Sequence, residues 1–170
     1  MGVIVPIQPE APAVADVAAM KDALARLASG VTLVTCWDNG EPKGLAATSL
    51  IGLSVDPPRL LFSVRHEASA HDALLRGGRC AATILAAEDQ GEAEHFAASS
   101  SAANRFASTR WRLDDSFAPR FDGGLAQFDL RIEHRIGADS HTIFIAEVLD
   151  VATRAGAPLV YFERSFAALG

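Results

Sequence analysis

The clearest alternation in the chain lies in residues 128–136: Phe128, Leu130, Ile132 and Ile136 fall on one face, and Asp129, Arg131, Glu133 and Arg135 on the other. A period of two marks a strand with one buried side. Gly137-Ala138-Asp139-Ser140 then supplies turn residues, and residues 142–151 return as a second β-rich run. Strands joined by so short a link are antiparallel neighbours. Other parts of the chain repeat the pattern. Residues 31–37 (VTLVTCW) are β-branched and aromatic, and Asn39-Gly40 follows. Asn-Gly is the strongest short hairpin signal because both turn residues tolerate positive φ. The returning strand is predicted over residues 43–55, with a turn at Asp56-Pro57-Pro58 and a further strand over 59–65.

Helical signals are fewer. Asp16 is a good cap, with Val17, Met20, Leu24, Leu27 and Ala28 at helical spacing and Gly30 as a stop. Ser69 with Asp72 resembles a capping box that opens a helix over residues 69–75, ended by Gly77-Gly78. A buried strand is predicted over 79–86, a helix over 88–98, a surface link at Ser99-Ser100-Ser101, a loop over 114–124 and a closing strand over 159–162. Six or seven strands and three helices, joined mainly by hairpins, lack the βαβαβ alternation of a parallel sheet. The expected fold is mainly β with peripheral helices, an antiparallel barrel.

A chain of 170 residues is one domain on the usual scale of about 100–200. Residues 1–15 hold Pro6, Pro9 and Pro12 and no Lys or Arg. They read as a flexible arm, or one lying across a partner subunit, leaving 16–170 as the single domain. The arm lacks the positive region of a secretory signal. No apolar run approaches the roughly 20 residues of a membrane span. The net charge of -6 argues against nucleic acid or an anionic membrane as partner. Cys36 and Cys80 form no Cys-x-x-Cys pair, so the expectation is two buried free thiols in a cytoplasmic protein without a metal site.

Several chemistries find no motif. His66 and His71 are five apart, one more than a zinc-protease helix requires. A Gly-x-Ser-x-Gly elbow, a phosphate loop and a Gly-x-Gly-x-x-Gly turn are all missing. Ser140 and His141, read as adjacent strand residues, point to opposite faces and cannot form a nucleophile–base pair.

Four segments remain, in order: Ser29 to Thr35 (SGVTLVT); Gly44-Leu45-Ala46-Ala47-Thr48-Ser49-Leu50, continuing to Leu53-Ser54-Val55-Asp56-Pro57-Pro58; Ser63-Val64-Arg65 with Ser69 beyond; and Asp139-Ser140-His141-Thr142. Small side chains at Ala46, Ala47, Thr48 and Ser49 allow a planar ring close to the strand backbone, and the two hydroxyls can bond oxygens of such a ligand. Arg65, Ser69 and the start of the 69–75 helix could meet a phosphate.

In this order and spacing the set resembles the short-chain flavin reductases, over residues 21–166. The resemblance implies an FMN-binding split barrel, dimeric, that passes hydride from NADH or NADPH to FMN or FAD and supplies a separate monooxygenase. It implies that Ser63, Val64 and Arg65 line the ribityl-phosphate path. It places His141 beside flavin and nicotinamide as the catalytic residue, although Asp139 and Ser140 stand where the family has Gly and Asp. Lys21 and Tyr161 are candidates for contacting the nicotinamide nucleotide. Asn104-Arg105-Phe106 resembles a helix turn of the family, with Arg105 either a phosphate contact or an ion-pair partner. His66, His95 and His134 receive no role. Two other readings stay open: a flavin- or haem-binding barrel without turnover, and a structural barrel with an empty groove.

Overall fold

The computed structural model describes residues 14–98, 104–114 and 117–169. Helix α1 (Val17–Ala25) starts where expected, with the Asp16 carboxylate accepting from the Ala19 N–H at 2.9 Å. Strands β1 (Ser29–Gly30), β2 (Thr32–Asp38) and β3 (Glu41–Ala47) follow, β2 and β3 joined through Asn39 and Gly40 at φ of 53° and 86°. Then come β4 (Ile51–Val55), β5 (Pro58–Arg65), α2 (His71–Arg76) and β6 (Arg79–Ile84). A 3-10 turn (Ala87–Asp89) leads into α3 (Gln90–Ala97), followed by the short strands β7 (Trp111–Arg112) and β8 (Arg120–Phe121). The long hairpin is β9 (Ala126–Ala138) and β10 (His141–Thr153), and β11 (Leu159–Phe162) with β12 (Ser165–Ala168) closes the chain.

Seven strands form one antiparallel sheet in the order β3-β2-β6-β9-β10-β5-β4. A first apolar core, with Val34, Phe62, Val64, Leu130, Ile132 and Phe144, is closed by Ala70, Ala73 and Leu74 around α2. A second, with Val31, Leu33, Phe96, Trp111, Phe121 and Leu159, lies between the other side of β2 and the α3, β7 and β8 elements. Strand β2 is buried on both faces because it separates the two cores. Such a strand carries no polar alternation.

Several expectations are corrected. The predicted strand over 43–55 is broken at residues 48–50, where the chain crosses from one edge of the sheet, β3, to the other, β4. There the Ser49 hydroxyl donates to the Ser63 carbonyl at 3.0 Å and accepts from the Ser63 N–H at 3.1 Å. A side chain thus stands in for the missing ladder, and the barrel is split at this line.

The alternation in β9 is interrupted too. Ala146 pairs with Ile132 but Ile145 with His134, so Glu133 is an extra residue and the facing side reverses beyond it. Ile136 is accordingly 49% exposed, on the face opposite Leu130 and Ile132. The predicted 88–98 helix begins as a 3-10 turn, the 114–124 loop contains β8, and β12 adds a strand that the tally lacked. The predicted Ser99-Ser100-Ser101 link and residues 1–13 of the arm lie outside the described residues.

Ser69 does not cap α2. The helix starts at His71 after Ala70 with no side-chain cap, and the Ser69 hydroxyl instead accepts from Arg105 at 2.9 Å. With only six residues, α2 offers no helix-terminal anion site of the expected kind.

Candidate active site

The line of the split carries a groove. Its first cavity, about 270 Å³, is walled by Ala46, Ala47, Thr48 and Ser49 from the end of β3 and the link, by Ser63, Val64 and Arg65 from β5, and by His141 at the start of β10. A second cavity of about 380 Å³ adjoins it and adds Glu67, Ser69, Phe96, Ala97 and Arg105. Leu45, Ala46, Arg65 and Ala68 line both, so the two form one continuous trough. Small-molecule sites typically measure roughly 300–1,000 Å³.

Strand register explains the grouping. His141 pairs with Arg65 and Ile143 with Ser63 across β10 and β5, so these side chains share one face while Thr142, Phe144, Phe62 and Val64 fill the core behind them. Val64 is 1% exposed and can present only its main chain to the groove. The Ser49 hydroxyl, expected to bond a flavin, has its hydrogen on the Ser63 carbonyl and one lone pair on the Ser63 N–H, so it can meet a ligand only as an acceptor. Thr48 keeps an exposed hydroxyl.

Gly44 holds the trough open from below. A Cβ there would lie 2.8 Å from a Phe96 ring carbon and 3.2 Å from Phe106, so only glycine lets these rings pack beneath β3. Phe96, Phe106 and Trp111 interlock with centroids 4.7 to 5.3 Å apart. Above them Arg105 donates to the Gly44 carbonyl at 3.2 Å, the Ala98 carbonyl at 3.2 Å and the Ser69 hydroxyl. Burial pulls its guanidinium below the ordinary value, although an arginine stays charged from so high a start. A cation is thereby fixed at one end of the trough.

His141 stands beside Arg65 on the neighbouring strand. Its Nδ1 lies 2.8 Å from the Ser140 hydroxyl, which overturns the expectation that the two side chains point to opposite faces. Ser140 is a turn residue beside Asp139 at φ of 45°, so strand alternation does not apply to it. Behind His141, the buried Thr142 hydroxyl lies 2.9 Å from His71 Nε2, and His71 Nδ1 is 3.1 Å from Asp72. This anchors the start of β10 to α2.

Of the residues expected from sequence, Ala46, Ala47, Thr48, Ser49, Ser63, Val64, Arg65, Ser69 and His141 line the trough. Lys21 and Tyr161 line neither cavity. Lys21 is exposed on α1, and Tyr161 packs edge-on against Phe166 with centroids 5.3 Å apart. The local sequence around Arg105 does not fix its part in the trough, because its partners are 7, 36 and 61 residues away.

The donor set fits a flavin nucleotide. A flat trough of small side chains takes a ring system, and Arg65, Arg105 and Ser69 at one end suit a phosphate. A model of the flavin reductase like domain matches residues 24–170. FMN reductase (NADH) RutF 2 of Methylorubrum extorquens is 36% identical over 159 residues, 93% of this chain and 92% of that protein. The NADH:FAD oxidoreductase SgcE6 of Streptomyces globisporus C-1027, solved with NAD and FAD fragments, superposes with a TM-score of 0.83 at 28% identity, covering 91% of this chain and 93% of that one. BorF, the flavin reductase component of a bacterial two-component tryptophan halogenase, gives a TM-score of 0.82 at 28% identity, covering 91% and 98%. With the family model spanning the split, the trough and both cores, the chain belongs to the flavin reductase like domain family.

Proposed function

We propose that this chain is an NADH-dependent flavin reductase that binds FMN or FAD in the trough and releases reduced flavin to a separate monooxygenase. The observation that carries the reading is the construction of the trough, a bed of small side chains that ends on Arg65, Ser69 and Arg105. A flavin bound there would take a hydride at N5 from C4 of the nicotinamide. That transfer needs no base on the donor, so the protein's task is to stack two rings and to hold their charged tails.

Ala46 and Ala47 form the bed, and Thr48 supplies a free hydroxyl at its edge. Ser63 and Val64 offer main chain along the ribityl path, and Arg65 and Arg105 attract the phosphate. His141, its Nδ1 engaged by Ser140, has Nε2 without a hydrogen-bond partner among the described residues. That nitrogen would orient the nicotinamide or stabilise negative charge on the reduced ring. Relatives named for NADH favour it as donor over NADPH.

A homodimer belongs to the same proposal. Val17, Met20, Leu24 and Leu27 on and after α1, with Ile51, Leu53 and Val55 on the edge strand β4, are exposed apolar side chains of the kind that a subunit interface would cover. The buried free thiols of Cys36 and Cys80 suit a reducing compartment such as the cytoplasm. Burial pushes the Cys36 thiol up to about 12.

The test is oxidation of NADH in the presence and absence of added flavin, run beside a His141→Ala variant. Turnover is expected to depend on flavin and to fall about ten- to hundredfold in the variant, with flavin affinity little changed. Flavin binding without NADH oxidation would favour a carrier barrel, and equal turnover in the variant would remove His141 from the mechanism.

A further inference from the structure

The phosphate end of the trough contains a charge of the wrong sign. Glu67 lines the second cavity beside Arg65, Ser69 and Arg105, and its Oε2 lies 3.2 Å from Arg65 Nη2. The two side chains are 84% and 68% exposed. Exposed pairs of this kind contribute little to stability. Among the described residues the Glu67 side chain makes no hydrogen bond other than the one to Arg65. Folding therefore gives little reason for a carboxylate at this place.

Binding gives one. A flavin phosphate monoester carries about -1.5 to -2 charges at neutral pH. Two guanidinium groups would hold it firmly, one of them fixed by the main chain of Gly44 and Ala98. Glu67 opposes this twice over, by repelling the phosphate directly and by occupying the more exposed of the two cations. Arg105 meets no such competitor: its hydrogen-bond partners are two carbonyls and a hydroxyl.

We infer that Glu67 sets the strength of flavin binding by loosening the phosphate grip, so that flavin leaves the trough as a product instead of staying as a resident group. The inference rests on the flavin reading of the trough. It assigns Glu67 a part in specificity too, because the penalty falls on ligands with a charged tail and spares riboflavin, which has none.

A Glu67→Gln variant tests this by flavin fluorescence quenching, with FMN and riboflavin titrated in parallel at low and high salt. The expected result is FMN bound about three- to tenfold more tightly, riboflavin unchanged, and the FMN gain shrinking near 1 M salt, where the screening length is about 3 Å. Stopped-flow displacement should show the gain as slower FMN release. Unchanged or weaker FMN binding would overturn the inference, as would an equal tightening of riboflavin. If the unsubstituted protein quenches neither ligand, the flavin reading of the trough fails, and the fault is not with Glu67 alone.

Discussion

Replacing Ala46 with tryptophan is expected to abolish flavin binding. Ala46 is one of the four residues common to both cavities, so a bulky ring at this position invades the bed and the approach to the phosphate end together. Affinity for FMN should fall at least about a hundredfold, equivalent to about 2.7 kcal/mol. Ala46→Ser, which keeps the bed shallow, should bind FMN nearly as well as the unsubstituted protein. Ala46 also packs against the aromatic core, so loss of binding has to be separated from loss of fold. Thr48→Trp provides that separation, because Thr48 is exposed on the link and forms no ladder pair. Both tryptophan variants should melt as cooperative folded proteins without binding flavin. Undiminished binding in either would mean that the ring lies elsewhere.

The largest effect on stability is expected far from the trough, at Asp89. Its carboxylate is 1% exposed and accepts from the Ala86 N–H at 3.0 Å, the Gly124 N–H at 2.8 Å and Arg110 Nη2 at 2.5 Å. One side chain thereby ties the end of β6, the loop before β9 and the segment before β7. Asp89→Ala leaves two buried N–H groups and an arginine without their partner, which costs about 3–5 kcal/mol. For a chain of this size the midpoint of thermal unfolding should drop by about 10 °C. Asp89→Asn retains one acceptor oxygen and should recover part of the loss. A drop of only 1–2 °C, on the order expected for a surface site, would show that the three segments hold together without this carboxylate.

Asp89 also illustrates what the sequence leaves hidden. It stands in an ordinary polar stretch, Glu88-Asp89-Gln90, and its partners lie 3, 21 and 35 residues away. Nothing local marks it as buried. Arg105 is hidden for the same reason, since its role is set by where β3 and Ser69 come to rest. Ser69 itself misleads: the local pattern predicts a helix cap, and a distant guanidinium claims the hydroxyl instead.

What could be read correctly rests on short-range rules. Asn39-Gly40 dictates its hairpin because the two positive φ values cost these residues little. Alternation identifies β9 and β10, and the hairpin then aligns His141 with Arg65 once β5 pairs alongside. The single bulge at Glu133 is enough to put Ile136 on the wrong face, because one inserted residue inverts everything beyond it. The break at residues 48–50 escapes a local reading since Thr48, Ser49 and Leu50 fit a strand well; only the separation of β3 from β4 across the sheet interrupts them. Lys21 and Tyr161 were expected near the nicotinamide, and neither lines the trough of the single chain.

The most direct test is a crystal structure of the protein with FMN bound. The isoalloxazine ring is expected flat on Ala46 and Ala47, with His141 at its edge and the phosphate within hydrogen-bond reach of Ser69 and Arg105. A ring stacked on any other surface, or a phosphate that leaves Arg65 and Arg105 untouched, would contradict that expectation.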